Sequence, residues 1–105
     1  LTRSQHEVSF LLAKGKPKIH GKPISDVVEW TREQNAIHPN QKPLDALYPI
    51  LSCYAPEEAL VLDPFMGSGS TLRAAKDMGM RAVGIEIEES HCRGAVRRLA
   101  QEVLF

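Results

Sequence analysis

Cysteine is scarce in this chain: Cys53 and Cys92 are the two present among 105 residues. Two thiols cannot build a disulfide framework, and no Cys-x-x-Cys pair offers a metal clip. Both are expected as free thiols buried on apolar helix faces, in a reducing cytoplasm. The four histidines, His6, His20, His38 and His91, show no ligand spacing, so no metal site is expected. No apolar run reaches the ~20 residues that a membrane helix needs. Internal repeats and low-complexity tracts are missing as well. The formal net charge is zero, which gives no overall pull toward a polyanion. The length leaves room for one small domain, so residues 1–105 are expected to form a single one.

What is present is unevenly distributed. Residues 1–25 carry Arg3, Lys14, Lys16, Lys18 and Lys22 against Glu7 alone, a net of +4, which leaves −4 for the remainder. A basic stretch of this kind suits contact with phosphates, and Lys14, Lys16, Lys18 and Lys22 are the candidate phosphate-contacting residues. With 43% hydrophobic and 25% charged residues, the chain falls in the globular class rather than the disordered one.

The most informative stretch is DPFMGSGST, residues 63–71, directly after the apolar run ALVL at 59–62. A short apolar run bounded by turn residues reads as a buried strand. Gly67 and Gly69 permit positive φ and close approach of a ligand to the backbone. Ser68 or Ser70 is placed to cap a following helix, whose open N–H groups would face the loop. Leu72, Ala75 and Met78 recur at helical spacing, and Gly79 is the expected stop. Residues 81–86 (RAVGIE) read as a second strand. Strand, helix and strand within about 30 residues make a parallel βαβ unit. Glu86 lies 23 positions after Asp63, and a carboxylate about 20 residues past such a loop commonly binds ribose hydroxyls. Two other phosphate loops fit poorly. A P-loop needs Lys after its last glycine, where Ser70 stands, and a dinucleotide fingerprint needs a glycine where Leu72 stands.

Elsewhere, residues 6–13 (HEVSFLLA) and 24–30 (ISDVVEW) predict short strands, with a Lys/Gly/Pro loop over 14–23 between them. Trp30 is expected to pack in a core or at an edge. Pro43 suits a first helical turn, and Leu44, Leu47, Tyr48, Leu51 and Tyr54 form an apolar stripe. Pro49 works against that helix. A last helix is expected from 88 to about 103, with Cys92, Ala95, Val96, Leu99 and Val103 on one apolar face. Its Arg93, Arg97 and Arg98 read as a solvated face.

HPNQKP at 38–43, VLDPFMGSGST at 61–71 and GIEIEES at 84–90 occur here in that order. Together they resemble the carboxy-terminal half of DNA methyltransferases that modify adenine N6 or cytosine N4, in the circularly permuted subgroup whose S-adenosylmethionine-binding segment comes last. The likeness runs roughly from His6 to Leu104. It implies an α/β fold, a partial Rossmann-like sheet, mostly parallel and flanked by helices, with residues 1–30 ending the catalytic and recognition half and 31–105 binding S-adenosylmethionine. It also implies residue roles. Asp63, Pro64, Phe65, Met66, Gly67, Ser68 and Gly69 would hold the methionine moiety. Glu86 would bind the ribose, and Ile87 would border the adenine. Asn40, Gln41 and Lys42 would lie near the methionine carboxylate.

One part of the family pattern is missing. The chemistry uses an Asp/Asn/Ser-Pro-Pro-aromatic segment to hold the flipped base, and no Pro-Pro pair occurs in the sequence. No catalytic residue is therefore assigned. The chain, which starts at Leu1, reads as the tail of a longer enzyme, a truncated gene product or a proteolytic remnant, inactive alone. Its expected partners are duplex DNA, reached through the parent enzyme, and either the missing half or a second copy. Two alternatives remain from other classes: a non-catalytic cofactor-binding module, and an oligomerising remnant.

Overall fold

The computed structural model describes residues 8–28 and 44–101. Five elements follow one another: α1 (Leu44–Tyr54), β1 (Leu60–Asp63), α2 (Ser70–Asp77), β2 (Arg81–Gly84) and α3 (Glu89–Ala100). The strands pair in parallel, with Leu60 opposite Arg81, Val61 opposite Ala82, Leu62 opposite Val83 and Asp63 opposite Gly84. The connection between them is α2, as a parallel pair requires. The architecture is thus α/β, a small parallel sheet with helices against it, as the sequence predicts.

Helix α2 is the hub, touching α1, both strands and α3. Small side chains make this possible: Ala74 and Ala75 are fully buried, and Leu72 nearly so. On the α2 side of β2, Gly84 leaves room for Leu72 and Met66. A Cβ there would lie 2.8 Å from Leu72 Cδ2. Ala46 and Cys53 are the buried residues of α1. Pro49 sits inside that helix without ending it, because the carbonyl it fails to satisfy belongs to Asp45, an exposed residue of the first turn. At the other end of α2, Gly79 takes φ 73°. Three N–H bonds from the cap region return to Ala74, Ala75 and Lys76 carbonyls, so Gly79 ends the helix as predicted.

Other expectations are corrected. Residues 8–13 form no strand, and Val8, Phe10, Leu11 and Leu12 are exposed. Residues 24–28 likewise form none. Both segments are rich in β-formers, but a strand exists only where another supplies its ladder. Residues 6, 7, 29 and 30, and with them Trp30, lie outside the described residues, as does Val103. The last helix begins one residue later than expected. Val96 is exposed rather than buried, and Cys92 is half-buried. The helix faces its neighbours through Gly94 and Ala95 instead.

A polar network fastens the helices. Arg73, although buried, pairs through Nε with Asp77 at 3.0 Å. Its Nη1 donates to the carbonyls of Arg98 and Gln101 at the end of α3, at 3.0 and 2.5 Å. Lys76 Nζ donates to the Leu99 carbonyl. Cations at a helix carboxyl end complement its dipole. Tyr48 Oη donates to Asp77 Oδ2, tying α1 into the same network. Burial and this bond to the carboxylate push the phenol up to about 12.

Candidate functional site at the carboxyl ends of the strands

Beyond Asp63 and Gly84 the backbone pairing continues. Ile85 N–H donates to the Asp63 carbonyl and Met66 N–H to the Ile85 carbonyl, both at 2.9 Å. These two bonds place the 63–69 loop beside the segment that leads to Glu86. Asp63 Oδ1 accepts from Phe65 N–H at 3.0 Å. This local turn fixes the carboxylate at the strand end. Gly67 (φ 55°) and Gly69 (φ 85°) both occupy the left-handed region. The loop closes with Gly69 N–H to the Met66 carbonyl at 2.9 Å.

The helix cap differs from expectation. Gly69 is the N-cap of α2, and no side chain caps the helix. The hydroxyls of Ser68 and Ser70 instead accept from Arg98 Nη1, at 3.5 and 3.2 Å. The expected solvated face is corrected accordingly: Arg98 is half-buried and crosses from α3 to the loop, whereas Arg93 stays outside, paired with Glu89 at 3.2 Å. The interaction spans 28 to 30 residues, so local sequence carries no signal of it. The Arg73–Asp77 pair does have one, the i,i+4 spacing of opposite charges.

Glu86 is held inward, its side chain 11% exposed. Oε1 lies 3.9 Å from His91 Nδ1, and Oε2 accepts from Glu88 N–H at 3.5 Å. Cys92 Sγ donates to the Glu86 carbonyl at 3.4 Å. Glu86 therefore also shapes the turn into α3. Two apolar side chains stand out at the same end of the sheet, Phe65 at 88% exposure and Ile87 at 96%. The structure thus gathers Asp63, Pro64, Phe65, Met66, Gly67, Ser68, Gly69, Glu86 and Ile87 at one end of the sheet. Asn40, Gln41 and Lys42 lie outside the described residues.

The candidate DNA-contacting lysines lie elsewhere. Lys14, Lys16, Lys18 and Lys22 are all exposed on a segment without helix or strand. That segment is tied down where His20 N–H donates to the Cys53 carbonyl at 2.9 Å. A groove of about 430 Å³ adjoins this tie, lined by His20, Ser52, Glu57 and Met80 among others. Met80 immediately precedes β2, so the groove marks the amino ends of the strands, opposite the Asp63 loop. Among the described residues, no group of three His, Cys, Asp or Glu side chains could hold a metal ion, and no helix is long and apolar enough to cross a membrane.

Residues 3–97 match the N6/N4 family model described as DNA methylase. The chain belongs to this DNA methylase family. YubD of Escherichia coli (strain K12), a protein that carries a methylase name, is 44% identical over 91% of this chain and 42% of its own length. The type II methyltransferase M.HindIII of Haemophilus influenzae is 40% identical over 71% of this chain and 24% of that protein. The methylase chain therefore spans less than half the length of these relatives. Among solved structures, the complex of M1.HpyAVI with SAM superposes with a TM-score of 0.67 at 31% identity, over 79% of this chain and 44% of that one. A Thermus thermophilus protein that carries a DNA modification methylase name, complexed with S-adenosyl-L-methionine, gives 0.55 at 36% identity, over 56% and 24%. The cytosine-N4-specific PvuII methyltransferase, at 19% identity and a TM-score of 0.58 over 65% of this chain and 24% of that one, shares the fold.

Proposed function

We propose that this methylase chain is the S-adenosylmethionine-binding part of a DNA methyltransferase directed at adenine N6 or cytosine N4, the later half of the permuted order. One observation carries the reading. Two parallel strands deliver Asp63 and the segment leading to Glu86 side by side, with a left-handed glycine loop between strand and helix. The residues present suit the cofactor. Carboxylates suit its amine and hydroxyl groups. The loop and the uncapped start of α2 offer backbone N–H donors. Phe65 offers apolar surface for the methionine moiety, and Ile87 for the adenine. Asn40, Gln41 and Lys42 are assigned to the methionine carboxylate.

S-adenosylmethionine supplies an already activated methyl group, so little acid–base chemistry is asked of the protein. This chain's residues grip and orient, and the barrier is lowered mainly by positioning. The base, flipped from the duplex, would be held by an Asp/Asn/Ser-Pro-Pro-aromatic segment that this sequence does not contain. Lys14, Lys16, Lys18 and Lys22 are assigned to DNA phosphates in the complete enzyme.

A second reading, self-association of a remnant, is favoured by the open face of the sheet. Leu60, Leu62, Val83 and Ile85 are exposed there, and an uncovered apolar sheet face calls for a partner. Titrating the purified chain with labelled S-adenosylmethionine, assaying methyl transfer to DNA and measuring its mass in solution tests both readings. Uptake of the cofactor without transfer is the expected outcome. An oligomer that takes up none would establish the second reading, and methyl transfer would show that the catalytic piece is present after all.

A further inference from the structure

Two observations on α3 converge on the glycine loop. Ala95 lies against Gly69 so closely that a Cβ on the glycine would stand 3.0 Å from Ala95 Cβ. One turn further along, Arg98 Nη1 reaches Ser70 Oγ at 3.2 Å and Ser68 Oγ at 3.5 Å. Ser68 and Ser70 are both buried. A guanidinium at the start of α2 is opposed by that helix's dipole, so the contacts that hold it there must outweigh the repulsion. The backbone carrying Arg98 is fixed in return, because Arg73 of α2 donates to the Arg98 and Gln101 carbonyls. Helices α2 and α3 therefore hold each other by two reciprocal arginine ties, one at each end of α2's first turn.

We propose that Arg98 is a positioning residue for the cofactor loop. From the back of the loop, it holds Ser68 and Ser70 so that the backbone N–H groups around Gly69 keep the orientation a ligand needs. Gly69 has no side chain to offer those groups, and the two neighbouring hydroxyl oxygens are engaged by Arg98. The donors of α2's first turn are thereby left without a side-chain cap. Arg98 makes this contribution through the loop, not by touching the ligand. The inference rests on the cofactor reading above.

The test uses the whole chain, with S-adenosylmethionine as the probe. Losing a charge-assisted tie should weaken its binding about tenfold in Arg98→Ala. Arg98→Lys should recover part of the loss, since an ammonium can still reach one hydroxyl. In a Ser68→Ala/Ser70→Ala background, Arg98→Ala should change affinity less than twofold further. Tyr48→Phe is the control for general destabilisation. Its hydroxyl meets Asp77, seven residues or ~10 Å along α2 from Ser70, and affinity should stay at the wild-type value. Amide exchange in the ligand-free chain should be about tenfold faster at residues 67–70 in Arg98→Ala. Affinity within twofold of wild type, or unchanged exchange, overturns the proposal. If the wild-type chain takes up no S-adenosylmethionine, the cofactor reading fails, and the exchange rates alone then decide whether the clamp exists.

Discussion

The segment 8–28 and the unit 59–101 have similar shares of apolar residues but different fates. In the first, Val8, Phe10, Leu11, Leu12, Ile19 and Val27 are exposed, and no helix or strand forms. In the second, a chain of comparable hydrophobicity closes a βαβ unit around Ala74, Ala75 and Leu72. The difference lies in where backbone groups find partners. Residues 60–63 pair with 81–84, and the loop beyond them continues that pairing. The earlier segment is tied by the His20 N–H bond to the Cys53 carbonyl, and Gly21 passes so close to the Ser52 backbone that a side chain there would clash. Apolar content alone does not make structure; a ladder or a helix must satisfy the backbone while the side chains are buried.

Substitutions can break or sharpen this contrast. The largest effect is expected at Gly69→Ala, which forces a Cβ onto φ 85° and against Ala95. About 3 kcal/mol of stability should be lost, as read by denaturant titration followed by circular dichroism. A loss below 1 kcal/mol would show that the loop is looser than described. Next comes Arg73→Met, which leaves Asp77 Oδ1 and two carbonyls at the end of α3 without the guanidinium. About 2 kcal/mol is expected, with faster amide exchange along α3. An unchanged midpoint would argue that water replaces the guanidinium at no cost.

Tyr48→Phe should cost about 1 kcal/mol at neutral pH. It also has a pH signature. The folded state raises the phenol from 10.0 to about 12, mainly through burial and then through Asp77. The group's contribution is therefore intact below pH 10 and disappears as pH rises toward 12. Wild type should lose its advantage over Tyr48→Phe across that window, and parallel stability curves would contradict the assignment. The smallest effect is expected on the other side of the contrast. Replacing Lys14, Lys16, Lys18 and Lys22 with Gln should shift stability by less than about 0.5 kcal/mol. Against the proposed DNA partner, the same change should flatten the salt dependence of binding by up to about 3.6 in slope, if all four meet phosphates.

The same contrast explains what could be read from the sequence. The unit around Asp63 was legible because its signals are local. A short apolar run, two glycines, a helical stripe and Gly79 each constrain only their neighbours, and each predicts its element, although the first strand is not buried as expected: Leu60 and Leu62 are exposed. The strands expected over 6–13 and 24–30 rested on β propensity, which says nothing of a partner strand. The expected serine cap fails to form for a related reason. Ser68 and Ser70 have the right chemistry and place, but the competing donor, Arg98, arrives from the far end of another helix. Buried Arg73 was hidden too, since its partners include main-chain carbonyls of α3, and carbonyls leave no trace in residue identity.

Binding of S-adenosylmethionine between Asp63 and Glu86 can be followed by amide chemical-shift mapping of the whole chain during titration with that compound. The largest saturable shifts are expected at Phe65, Met66, Gly67, Ser68, Gly69 and Ile87. Shifts confined to His20, Ser52, Glu57 and Met80 at the opposite groove, or no shifts at all, would contradict it.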